Sequence, residues 1–192
     1  MEKLDRADVC LRADVAFDES DSSYVFQSFS QEIRVCPTDR DMSSTSSQGK
    51  FLLENLGGHF RLAALHYLIQ ARETASVGEL ISPKSIPGGD IFSRGTHRLP
   101  LDRITERYSG DLPAFHTRGS ELGAEQMDYG DASIRLTPFP RVPSVLILWQ
   151  EDEEFPARAD LLLYSSCRLH LPVDLIWATT MMSVLMMVPN SL

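Results

Sequence analysis

The apolar run Val145-Leu146-Ile147-Leu148-Trp149 constrains the fold of this chain more than any other segment. Its residues do not alternate between apolar and polar side chains, as they would in a strand with one solvated face. A run of this kind needs burial on both faces, so the sequence predicts a central β-strand over about residues 144–149. The acidic residues 151–154 follow directly and must leave the core at once.

Other segments predict neighbours for this strand. Residues 31–36 and 131–137 alternate between apolar and polar side chains, which is typical of strands that have one wet face. Residues 24–29 read as a further short strand, and residues 161–164 as a buried strand or the start of a helix. The proline-rich stretch 138–143 separates two of these segments.

Apolar residues at helical spacing predict helices over 2–17 and 59–72, and a third that Pro100 begins. Asp111 is a candidate cap for the next helix, and Pro172 can open the last one. In the helix over 59–72, Leu62, Leu65 and Ile69 form an apolar stripe, with Leu68 beside them. Residues 171–188 are the most apolar stretch, but Asp174 lies within them and no basic residue flanks their end. This pattern favours a buried helix over a membrane span.

These elements do not alternate as strand and helix, which favours an α+β fold over a doubly wound one. We expect one mixed, largely antiparallel sheet with the central strand buried and helices packed on it. We also expect a single domain over residues 1–192. A Ser-rich loop at about 38–49 and a Pro/Gly-rich loop at about 82–95 interrupt it.

Charge and cysteine content limit the partners. The chain has 27 acidic and 18 basic residues, a net charge of −9, which disfavours nucleic acid and anionic membranes as partners. Cys10, Cys36 and Cys167 are widely spaced and odd in number, so they suit buried thiols in a reducing compartment better than disulfides or a metal site. The N-terminal segment lacks the apolar core of a signal peptide, so we expect a cytoplasmic protein.

Several residues are candidates for chemistry. Asp152 and Glu154 could bind a hard cation together with His66, or act as acid and base, but a solvated turn explains the same acidic run. His66 is either a ligand or a packed histidine, and Gly88-Gly89 either presents backbone amides to a ligand or forms a tight turn. The candidate ligand-binding residues are His66, Gly88, Gly89, Arg141 and Trp149.

The function hypotheses follow from motifs that the sequence does not contain. It has no G-x-S-x-G, no phosphate-binding glycine loop and no H-x-x-x-H pair. We therefore expect a binding or accessory domain in which the 82–95 loop and the acidic turn border one pocket. The alternatives are a metal-dependent or acid–base enzyme that uses carboxylates of residues 151–154, and a homo-oligomer formed through the methionine-rich C-terminal helix. The sequence names no cofactor.

Three stretches carry a family resemblance: LAALHYLIQA (62–71), GELISPKSIPGG (78–89) and GDASIRLTPFPRVPSVLILWQEDEEFPARADLLLYSS (130–166). Together they resemble the bacterial and archaeal domain-of-unknown-function family 3786, over residues 5–188. The resemblance implies little about function. Some relatives join this domain to a cysteine-rich iron–sulfur module, which implies that an iron–sulfur cluster would belong to a protein partner, since this chain has only three cysteines.

Overall fold

The structure is a computed structural model that describes residues 4–74, 78–93 and 97–188. Within these ranges the α-helices are α1 (Arg6–Ala13), α2 (Ser47–Glu54), α3 (Gly57–Gln70), α4 (Asp102–Tyr108), α5 (Leu112–Glu121) and α6 (Val173–Met187). The strands are β1 (Ala16–Asp18), β2 (Ser23–Ser28), β3 (Gln31–Cys36), β4 (Asp41–Ser43), β5 (Leu80–Ile81), β6 (Glu125–Met127), β7 (Ala132–Phe139), β8 (Val142–Trp149) and β9 (Arg158–Tyr164). Short 3₁₀-helices cover Pro83–Ser85, Gly89–Ser93 and Ser165–Leu169.

The strands form two antiparallel sheets, so the α+β class is confirmed but the expectation of one mixed sheet is wrong. One sheet has the order β1-β2-β3-β4, and the other has the order β5-β9-β8-β7-β6. Short turns connect each of the strands β1 to β4 to the next one, so each strand pairs with its neighbour in sequence. The two sheets touch where the Phe29 amide donates a hydrogen bond to the Thr137 carbonyl over 2.9 Å.

The predicted central strand is confirmed as β8, the middle strand of the five-stranded sheet. Every residue from Val142 to Leu148 is buried, and Trp149 is half-buried at the strand end. On one side, Ser144 of β8 shares a 2.9 Å hydrogen bond between hydroxyl groups with Ser183 of α6. The bond satisfies two buried polar groups that would otherwise destabilise an apolar interior.

The helix predicted over 59–72 is confirmed as α3, but the apolar stripe on Leu62 and Ile69 does not face the core. These two side chains are 48% and 43% exposed. The rings of Phe60 and Tyr67 instead stack on Phe139, with centroids 5.9 and 5.0 Å apart. Burial of these two large aromatic rings removes much apolar surface from water and favours this orientation of the helix. The buried side of α3 consists of Phe60, Ala63, Ala64, Tyr67 and Leu68.

The predicted Ser-rich loop contains regular structure. Strand β4 pairs with β3, and it buries Met42 opposite Val35. The Ser46 hydroxyl accepts a hydrogen bond from the Gly49 amide and so caps α2. One buried methionine and one capping serine are therefore enough to order a segment whose composition indicated a loop.

Helix α1 is shorter than the helix expected over 2–17. It ends at Ala13, because Asp14 adopts a left-handed conformation with a φ of 54°, and β1 begins at Ala16. The predicted C-terminal helix is confirmed as α6, and its methionines Met182, Met186 and Met187 are buried. In the described parts of the chain, no helix has both the length and the apolar character that crossing a membrane requires.

Candidate functional site

One functional candidate is a cleft of about 550 Å³ between the segment after β5, helix α4 and the start of β9. We call it the basic cleft. Its charged lining consists of Lys84, Arg98, Arg158, Asp102 and Asp160. Residues of the 82–95 loop line this cleft, and so do Ala157 to Leu161, but no residue of the acidic turn 151–154 is among its described lining residues.

Two cations of the basic cleft are available to a ligand. Within the described residues, Lys84 and Arg98 make neither an ion pair nor a side-chain hydrogen bond. Beside them lie Phe92 and Leu99, which are 4% and 7% exposed and give the cleft an apolar wall. A pocket that combines apolar area with a few unsatisfied polar groups is typical of small-molecule sites.

Trp149 supports the opposite wall of the basic cleft. Its indole nitrogen donates a 3.0 Å hydrogen bond to Asp160 Oδ2. The Arg158 guanidinium lies 4.8 Å from the centre of the indole ring, and Arg158 Nε is 3.8 Å from the same Asp160 oxygen. The predicted ligand-binding residue Trp149 therefore positions two residues that line the cleft.

The Gly88-Gly89 pair forms a tight turn next to the wall of the cleft that the segment after β5 provides. Gly88 has a φ of 83°, a conformation that favours glycine, and the Gly89 amide donates to the Ile86 carbonyl over 2.6 Å. A Cβ atom on Gly89 would overlap the carbonyl oxygen of Pro83, which lines the cleft. The sequence allowed either a tight turn or backbone amides presented to a ligand, and the structure contains the tight turn.

A comparison with family models matches residues 5–186 to a domain of unknown function, DUF3786. The chain belongs to this family. The match covers nearly the whole chain and confirms the resemblance based on its motifs. Searches of curated proteins and of solved structures find no match. Family membership therefore assigns no activity to this chain.

Arg141, another predicted ligand-binding residue, uses its donors within the protein. Its Nε and Nη2 atoms donate to the carbonyls of Arg12 and Leu11 over 2.8 and 3.0 Å, and Nη1 lies 3.4 Å from the Thr74 carbonyl. Its backbone amide donates to the Tyr67 hydroxyl over 3.1 Å. Burial raises the pKa of Tyr67, so this phenol stays neutral and can donate to the Ala13 carbonyl over 2.7 Å. Arg141 thus ties α1 to α3 and to the β7–β8 turn.

The acidic run forms a solvated turn. Residues 151–154 are all exposed, and Asp152 Oδ1 accepts hydrogen bonds from the amides of Glu154 and Phe155 over 2.8 and 2.7 Å. His66 is half-buried on α3, well separated in sequence from this turn. Among the residues that the structure describes, no group of three or more His, Cys, Asp and Glu side chains could hold a metal ion. The structure therefore does not bring His66 together with Asp152 and Glu154 in a metal site.

The cysteines are all free thiols, as expected, but only Cys167 is fully buried. Burial raises the pKa of the Cys167 thiol to about 11. The thiol is therefore protonated at neutral pH, and a protonated thiol is a poor nucleophile. Cys10 and Cys36 are half-buried, and burial also raises the pKa of Cys10.

The cations of the basic cleft are not among the residues that the sequence predicted for a site. Lys84 lies within the predicted irregular loop, whereas Arg98 and Arg158 lie outside it and come from opposite walls. A local signal did exist, since basic residues flank both the Pro/Gly-rich loop and the acidic turn in an otherwise acidic chain. Their convergence depends on the antiparallel pairing of β5 with β9, which no single segment reveals.

Proposed function

We propose that this chain is a ligand-binding domain and that its basic cleft takes a small organic anion with an apolar part. The observation that supports this function is a pair of cations, Lys84 and Arg98, that have no partner among the described residues and lie beside buried apolar side chains in a chain of net charge −9. An anionic group gains charge-assisted hydrogen bonds from such cations. The apolar part of the ligand gains from leaving water.

The charge of the lining favours a monoanion. Among the described residues, the lining has three basic side chains and two acidic ones, which gives a net charge of 3 − 2 = +1. Asp160 is held in place by Trp149 and paired loosely with Arg158, and Asp102 lies at the start of α4. Two carboxylates near the ligand would repel a second negative charge.

Calorimetric titration with 4-phenylbutyrate and with its uncharged amide tests the proposal. The two probes share their apolar part and differ in charge. We expect the acid to bind and the amide to bind about tenfold more weakly or not at all, since one charge-assisted hydrogen bond accounts for a difference of that order. Equal affinity for both probes, or no binding of either, would refute the proposal.

Matched variants locate the binding. Lys84→Gln and Arg98→Gln each remove one cation of the cleft, and we expect each to weaken 4-phenylbutyrate binding about fivefold to tenfold. Lys50→Gln removes an exposed cation on α2, outside the cleft lining, and serves as the control for total charge. A loss of affinity that is the same in all three variants would show non-specific attraction and contradict the proposal.

A second candidate function is self-association of two copies through the outer face of α3. Leu62 and Ile69 are 48% and 43% exposed on this face. This surface replaces the methionine-rich helix as the candidate, because the methionines of α6 pack mainly into the core of the chain. Light scattering would show a dimer that the double variant Leu62→Glu/Ile69→Glu converts to a monomer. Leu11→Glu changes a residue of α1 that is 56% exposed, and this control should remain a dimer.

A further inference from the structure

A second cationic cleft, of about 400 Å³, lies between the end of α3 and the start of α6. We call it the His170 cleft. Its lining includes Arg72, Arg168 and His170, and none of the described residues that line it is acidic. It shares no lining residue with the basic cleft.

His170, one of the lining residues of this cleft, carries a buried donor. The residue is 0% exposed, and its Nδ1 atom accepts a hydrogen bond from the Arg72 amide over 3.4 Å. In a neutral imidazole that accepts at Nδ1, the proton lies on Nε2. Within the described part of the chain, Nε2 is buried and has no hydrogen-bond partner. A buried donor without an acceptor is costly, so an acceptor supplied from outside the chain would be stabilising.

The charges around His170 favour a negatively charged acceptor. Arg72 and Arg168 have exposed side chains that form neither ion pairs nor hydrogen bonds with other described residues. Burial, together with the positive charge of Arg141, lowers the pKa of His170 to about 4. The imidazole is therefore neutral at pH 7 and keeps its Nε2 proton. Arg141 itself is occupied by backbone carbonyls, which leaves the two other guanidinium groups to bind a ligand.

The start of α6 also favours a negatively charged ligand. Pro172 lines the cleft and is also the N-cap residue of α6, and no side chain caps this 15-residue helix. The uncapped amides of the first turn and the helix dipole both favour an anion at this end. The unpaired Nε2 donor, the two guanidinium groups and the helix end thus require the same kind of ligand.

We propose that the His170 cleft binds an oxyanion, the phosphate or carboxylate group of a small molecule. The Nε2–H group of His170 donates to one oxygen, and Arg72 and Arg168 balance the charge. This site is separate from the one proposed for the basic cleft, so either proposal can fail while the other stands.

NMR titration of the full-length chain at pH 7.5 tests this inference, with inorganic phosphate and with acetate as separate probes. The readout is the shift of the His170 ring signals, from which the dissociation constant follows. We expect at least one probe to give a saturable shift, and the stronger of the two identifies the phosphate or the carboxylate source. No saturable shift with either probe would overturn the proposal.

Variants separate the Nε2 donor from general packing. His170→Asn keeps a polar atom near the Nδ1 position and removes the donor at Nε2, whereas His170→Gln places an amide nitrogen near Nε2. We expect the Asn variant to bind at least about tenfold more weakly than the wild type, and the Gln variant to recover part of that loss. For these variants the readout is the amide signals of residues that line the cleft. Equal binding by wild type and His170→Asn would contradict the assigned role.

Arg168→Gln changes an exposed side chain, so it tests the site without risk to folding. We expect it to weaken binding about fivefold, while Lys50→Gln leaves binding unchanged. A phosphate or acetate affinity that falls with Arg98→Gln but not with Arg168→Gln would place the anion in the basic cleft and overturn the inference.

Discussion

Replacement of Arg141 tests how the β7–β8 turn holds α1 in place. Two of its guanidinium hydrogen bonds, to the carbonyls of Leu11 and Arg12, reach the last turn of α1 over 3.0 and 2.8 Å. The last carbonyls of a helix have no partner within the helix and need donors from elsewhere. Arg141 supplies those donors from a residue about 130 positions further along the chain, and it adds a positive charge at the negative end of the helix dipole.

The geometry sets the expected cost of Arg141→Ala. Two short hydrogen bonds from a charged group contribute about 1–1.5 kcal/mol each, at or just below the range for charged donors, because the half-buried guanidinium is still partly solvated. The 3.4 Å contact with the Thr74 carbonyl adds little. We therefore expect the free energy of unfolding to fall by about 2–3 kcal/mol. Arg141→Lys keeps the charge but loses the planar fork of donors, and it should recover about half of this loss.

Urea unfolding followed by circular dichroism measures the change, and hydrogen exchange locates it. If Arg141 anchors α1, the amides of α1 should lose protection more than those of β8. Arg158→Ala is the control, because the Arg158 side chain is 61% exposed and its ion pair is 3.8 Å long. It should change the free energy of unfolding by less than about 0.5 kcal/mol. A loss below about 1 kcal/mol for Arg141→Ala, or equal losses for both variants, would refute this reasoning.

Three further predictions test the packing, the turn and the buried imidazole. In urea unfolding, Leu68→Ala should reduce the free energy of unfolding by about 3 kcal/mol, because Leu68 is buried on α3. Leu62→Ala should reduce it by less than about 0.5 kcal/mol, because Leu62 is exposed. Equal losses would contradict the orientation of the helix. Gly89→Ala should lower the melting temperature because its Cβ overlaps backbone, whereas Gly58→Ala has open space around it and should raise or preserve it. Folding lowers the pKa of His170 from 6.5 to about 4, so between these pH values only the unfolded state protonates this imidazole. The free energy of unfolding should therefore fall as the pH drops from about 6.5 to about 4. His170→Gln should remove that part of the pH dependence.

Local patterns in the sequence identified the elements whose burial depends on few neighbours. The unbroken apolar run predicts β8 because burial on both faces is the only stable position for it. Asp111 predicts the start of α5 because a cap needs only the amide three residues ahead, and its side chain does accept from the Ala114 amide over 3.0 Å. These signals act over one turn or one strand, so the rest of the fold hardly affects them.

The orientation of α3 shows where such patterns stop being informative. The helix is apolar on more than one side, so its sequence allows two buried faces. Phe139, which selects one of them by stacking on Phe60 and Tyr67, is about 70 residues away in sequence. The division into two sheets has the same cause, because it depends on which strand edges meet in three dimensions. Neither choice can be made from the segment itself.

The candidate sites differ from the predicted residues for a related reason. Arg141 and Trp149 have the polar atoms expected of ligand-binding residues, but the chain uses those atoms for its own hydrogen bonds. Atoms that have no partner among the described residues include the side-chain nitrogens of Lys84 and Arg98 in one cleft and Nε2 of His170 in the other. A residue type shows what a side chain can bind, whereas only the fold shows whether that capacity is already used. The binding hypotheses therefore rest on unsatisfied donors, and they fail if anions do not occupy them.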